Sequence, residues 1–183
     1  MTDLAGQQLA PWQSFYVIVG SSAAALVGIQ FVVIALVANM RKLITTAGSI
    51  SAFATPTVVH LGGALVVSSL MSAPWPSLRG TSIALAMCGL GGLGYATIAI
   101  HLARRQTAYK PVWEDWICHA ILPCSAYAAL AVAALLLSTT TQTAVFVIGA
   151  AALALLLIGI HNAWDTVTHV VVTNARGDAT KKE

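Results

Sequence analysis

The chain has 183 residues, of which 58% are hydrophobic and 8% charged, and a formal net charge of +3. Soluble domains carry roughly 25% charged residues, so the composition excludes a water-soluble globular protein. A small basic excess without a dense basic stretch gives no basis for a nucleic-acid partner. What remains is a multi-pass protein of a cell membrane (the plasma membrane in a bacterium), with the lipid bilayer as its first partner.

The first apolar segment spans 15–38, enough for the roughly 20 residues a bilayer crossing needs. No basic residues precede it and it exceeds a signal-peptide core, so it is expected to stay as a helix. Gly20, Ala24 and Gly28 recur every four residues in it, a small-residue face suited to close helix contact or to association of copies. Arg41 and Lys42 follow.

The second segment, 50–71, contains Pro56, His60 and the pair Gly62–Gly63. Pro74 and Pro76 stop it, and Trp75 between them suits an interfacial aromatic belt. The third, 81–102, carries "GLGGLG" from Gly89 to Gly94 and ends at His101. That run satisfies G-x-G-x-x-G in form, but the pattern signals dinucleotide binding only between a strand and a helix; inside a membrane span it reads as helix packing.

The connection that follows holds Arg104, Arg105, Lys110, Trp113, Glu114 and Asp115, and the fourth segment, 116–137, begins with Trp116, Cys118 and His119 and contains Pro123. The fifth runs over 144–164 with an extension to about 172, through "HNAWDTVTH" at 161–169. Residues 174–183 read as a disordered tail. Cys88, Cys118 and Cys124 have no C-x-x-C spacing and read as small apolar residues.

Backbone groups in lipid must be satisfied within a segment, so the expected fold is an all-α integral membrane protein, a bundle of five transmembrane helices forming one domain over 1–173. Five crossings place Arg41, Lys42, Arg104, Arg105, Lys110, Arg176, Lys181 and Lys182 on one side and Arg79 alone on the other. The positive-inside rule then puts the N-terminus outside and the C-terminus in the cytoplasm.

On this topology His101, Glu114, Asp115, His119, His161, Asp165 and His169 all fall toward the cytoplasmic face, with His60 the deepest. An ionisable residue in a bilayer is costly and is a candidate functional residue by default. Steps of four residues advance about 40° around a helix, so His161, Asp165 and His169 form a stripe, and Asp115 and His119 a second one. Imidazole and carboxylate are ligands for zinc, iron or manganese. The leading expectation is therefore a divalent transition-metal site of His60, His119, His161, Asp165 and His169, with Asp115 and Glu114 as catalytic groups if the protein acts on a lipid or other apolar substrate. Neither H-E-x-x-H nor paired Glu-x-x-His is present, and whether the protein is an enzyme stays open. The alternatives are an ion or proton channel or transporter using the same His and Asp residues, and a non-catalytic or haem-binding component of a membrane complex. The bland alternative for 161–169 is a polar hem at headgroup level.

Overall fold

The computed structural model describes residues 9–40, 48–105 and 116–180, with side chains placed for 9–36, 55–102, 104 and 116–168. A short 3-10 turn, Ala10–Trp12, leads into α1, Gln13–Met40. Then come α2, Gly48–Ser72, and α3, Leu78–Arg105. A π-helical turn, Ile117–Ile121, opens α4, Leu122–Leu136, and α5 is Thr141–Thr180. Among the described residues five helices are long and apolar enough to cross a membrane, so the chain is a multi-pass membrane protein with an all-α bundle. Large side chains such as Ile18, Phe31, Met87, Leu90 and Leu135 face outward, as a lipid environment allows.

The short connections after α2 and α4 reverse the chain, so neighbours in sequence run antiparallel. We call the side where α5 begins the N-face and the side where it leaves the C-face. α1 packs on α2, α2 on α5, α5 on α4 and α4 on α3, with lesser contact between α2 and α3 and between α1 and α5. α5 is the most enclosed span.

Lipid tails are as apolar as leucine, so cohesion comes from close packing and interhelical hydrogen bonds. The small residues supply the first. A Cβ on Gly20 would lie 3.0 Å from Ser68 Cβ in α2, and one on Gly89 would lie 2.8 Å from the backbone nitrogen of Ala131 in α4. Gly89 and Gly92 of the Gly89–Gly94 run thus make a packing surface within the chain. Gly28, Gly91 and Gly94 have nothing within 4 Å of such a Cβ. Hydrogen bonds supply the second: Ser82 Oγ donates to the Ala134 carbonyl at 2.6 Å, and the Tyr16 hydroxyl to the Val145 carbonyl at 3.4 Å.

The N-face half is filled mainly by apolar and aromatic groups, with Ser68 and Thr81 buried among them. Trp12 meets Phe146 edge-on at 4.6 Å and seats over Gly149. Beneath them Val19, Leu85, Leu130, Val145 and Ile148 are buried in one cluster.

Pro123 explains the wide turn at the start of α4. Proline has no N–H, and its ring crowds the carbonyl four residues back, here that of His119. The turn loosens so that the Leu122 N–H reaches the Ile117 carbonyl, five residues back. Such π-bulges often mark functional segments. At the C-face end, the Arg104 guanidinium lies over the Trp116 ring at 5.3 Å and ties α3 to this turn.

Candidate functional site

α2 carries its buried stripe on Thr57, His60, Leu61, Ala64, Val67, Ser68 and Met71. His60 belongs to it and is 2% exposed. Its Nδ1 lies 3.3 Å from the Tyr127 hydroxyl oxygen of α4. The tautomer sets the direction: with the proton on Nε2 the phenol donates to Nδ1. The rings stand 5.8 Å apart, and Tyr95 of α3 meets His60 edge-on at 6.4 Å.

Glycine makes room for this pair. A Cβ on Gly63 would come within 2.9 Å of the Tyr127 hydroxyl oxygen, and one on Gly92 would run into the Tyr127 ring. The phenol is clamped between α2 and α3 by two positions that lack a side chain. His119, in the π turn nearer the C-face, lies within electrostatic range of His60.

A second set of buried polar groups lies on α1, α2 and α5. Gln30 in α1, Thr57 in α2 and Asn162 in α5 are 8%, 1% and 1% exposed. Two helix registers bring them to one level. Gly159 is occupied by the Leu61 side chain, at 2.5 Å from the position of a Cβ; in an antiparallel pair Asn162 then comes level with Thr57 or Val58. The Gly20–Ser68 contact likewise brings Gln30 opposite the same turn of α2. That level is about 9 Å inside the C-face ends of the α1 and α5 spans at the helical rise.

The expected transition-metal centre is overturned. Among the described residues no group of three or more His, Cys, Asp or Glu side chains could hold a metal ion. Zinc, iron or manganese is therefore not supported as a cofactor, and the metal-binding reading of the function falls with it. The cause is the rotation of α5. Its buried stripe passes through Leu155, Ile158, Gly159 and Asn162, which turns His161 and Asp165 outward. Those two pair with each other, Nε2 to Oδ2 at 3.1 Å, with side chains 50% and 43% exposed. His60 meanwhile faces Tyr127. The His161–Asp165 spacing does make one stripe, but the stripe faces away from the bundle. For the channel alternative, the same rotation takes His161 and Asp165 away from the interior, while His60 stays within it and the N-face half holds mainly apolar side chains.

His119 is half-buried in the π turn and His101 is exposed near the end of α3. Glu114 and Asp115 lie outside the described residues, as does the His169 side chain. Tyr127, Tyr95, Asn162, Thr57 and Gln30 were not among the sequence candidates. A signal for Tyr127 was available, because Gly63 and Gly92 on two helices mark room for one large ring. Asn162 is separable from its charged neighbours only once the rotation of α5 is known. Comparison with known protein families, with curated proteins and with solved structures finds no match to this chain.

Proposed function

We propose that the protein is a membrane-embedded binding protein whose interior polar level, lined by His60, Tyr127, Thr57, Asn162 and Gln30, receives a small molecule from the C-face. The observation that carries this is His60: a titratable ring in a membrane span, buried at 2% exposure and turned toward Tyr127. Burying such a group in the bilayer is expensive and is normally retained for a task. His119 lies in the loosened π turn at the C-face end of α4, which favours entry from that side. The mainly apolar packing of the N-face half favours a site over a pore.

In this reading the positive-inside distribution of Lys and Arg makes the C-face cytoplasmic and the N-terminus external. The bundle over 1–173 is one unit, from which α5 runs on to Thr180. Copies associate through Gly28, Gly91 and Gly94, exposed positions where an added Cβ would meet nothing within 4 Å among the described residues.

Thiol accessibility tests the reading. Cys88, Cys118 and Cys124 are replaced by Ala, Thr57→Cys is introduced, and vesicles of each orientation are treated with a membrane-impermeant methanethiosulfonate. Thr57→Cys is expected to react from the cytoplasmic side alone, and Leu130→Cys, in the apolar core, from neither. An unreactive Thr57→Cys, or one that reacts only from outside, overturns the proposal.

A further inference from the structure

The Asn162 carboxamide is enclosed, and neither Oδ1 nor Nδ2 has a hydrogen-bond partner among the described residues. A buried polar group left in this state is costly, and the more so where nothing nearby can hydrogen-bond. Membrane spans have no bulk water beside them to relieve it. Thr166, one turn on, directs its hydroxyl to the Asn162 backbone carbonyl at 2.8 Å, so that donor is spent on the main chain. An amide offers two donors and an acceptor oxygen; whatever satisfies it must carry both functions.

The surroundings restrict the occupant further. At this level the buried polar neighbours on α1 and α2 are Gln30 and Thr57, both uncharged, and the charged pair of α5 points outward. A net charge on the occupant would therefore meet no counter-ion among the described residues of α1, α2 and α5 at this level. Toward the N-face the Leu61 side chain fills the notch at Gly159 between α2 and α5, which favours an approach from the C-face.

We propose that Asn162, with Thr57 and Gln30 beside it, is the binding site for a small neutral molecule that both donates and accepts hydrogen bonds, either water or a solute of carboxamide size. This deepens the interior-site reading and rests on it.

Solid-state NMR in lipid bilayers tests the assignment. Asn39→Ser and Asn174→Ser leave Asn162 as the sole asparagine, so side-chain 15N labelling reports on it alone, whether or not a variant at 162 folds. Magnetisation transferred from water should reach the Asn162 amide several-fold faster than the Leu155 backbone; this identifies water. If added 13C-labelled acetamide gives a direct contact to the amide and suppresses the water transfer, the site takes the solute. An amide that receives magnetisation from neither overturns the proposal. Should Thr57→Cys react from the cytoplasmic side while Asn162 shows no contact, the interior opening stands and this site alone falls. Contact at Asn162 with an unreactive Thr57→Cys has the opposite meaning: the carboxamide is occupied, and the open-site reading of the function is wrong.

Discussion

Tyr127 of α4 reaches across to α2 and sets its hydroxyl oxygen 3.3 Å from Nδ1 of His60, joining two helices that are distant in sequence. Interhelical hydrogen bonds in membrane proteins average about 0.6 kcal/mol and reach about 1.7, because the unfolded state in the membrane also finds partners. A double-mutant cycle of Tyr127→Phe and His60→Leu, read by reversible unfolding in mixed micelles, should give a coupling energy in that range. Tyr127→Phe keeps the ring in its glycine notch, so loss of packing does not enter. A coupling indistinguishable from zero would show that the two groups are merely adjacent.

Two neighbouring glycines of α3 should respond oppositely to the same methyl group. A Cβ on Gly92 runs into the Tyr127 ring, whereas one on Gly91 meets nothing within 4 Å. Overpacking costs about 1–3 kcal/mol, while Gly→Ala in an uncrowded helix gains roughly 0.5–1 kcal/mol. Gly92→Ala is therefore expected to lower the unfolding free energy and Gly91→Ala to leave it unchanged or raise it. Adding Tyr127→Leu should recover part of the Gly92→Ala loss. Equal responses at 91 and 92 would mean that α3 is rotated from the arrangement described here.

Five spans were legible because hydropathy over about 20 residues needs no tertiary information. So was helix packing at the Gly89–Gly94 run, which Gly89 and Gly92 carry while Gly91 and Gly94 stay open. The site was not, and α5 shows why. In "HNAW" the sequence offers a histidine and an asparagine side by side, and the ionisable one attracts attention. Which of the two faces the core depends on how Gly159 seats on Leu61, a contact between residues 98 positions apart. A rotation of about 100° per residue separates the inward from the outward reading. Tyr127 escaped notice for a related reason: a phenol in an apolar run looks like filler until His60 is found opposite it.

Ser82 offers a second interhelical hydrogen bond at the other end of the bundle, from its Oγ to the Ala134 carbonyl at 2.6 Å. That carbonyl also accepts the Leu137 N–H at 3.3 Å, so removing the hydroxyl does not strand it. Ser82→Ala should cost about 0.5–1 kcal/mol, while Ser82→Thr keeps the donor. The comparison is read as a shift in denaturation midpoint. A loss of several kcal/mol for Ser82→Ala would contradict the shared acceptor.

The rotation of α5 gives the sharpest contrast, since residues 161 and 162 share a depth and differ in direction. His161 and Asp165 form a half-exposed pair one turn apart. Pairs of this kind contribute about 0.3–0.5 kcal/mol, so His161→Ala or Asp165→Ala should change the unfolding free energy by no more than that. Lysine at the two positions separates the directions. His161→Lys leaves a long side chain free to extend its ammonium to the interface. Asn162→Lys forces a charge into a position 1% exposed, where placing Lys in a membrane helix costs about 2.5–3.5 kcal/mol. The expected order of stability is wild type, then His161→Lys close behind it, then Asn162→Lys far below. If the two lysine variants change places, the outward stripe of His161 and Asp165 is the inward one, and the interior site built on Asn162 loses its basis.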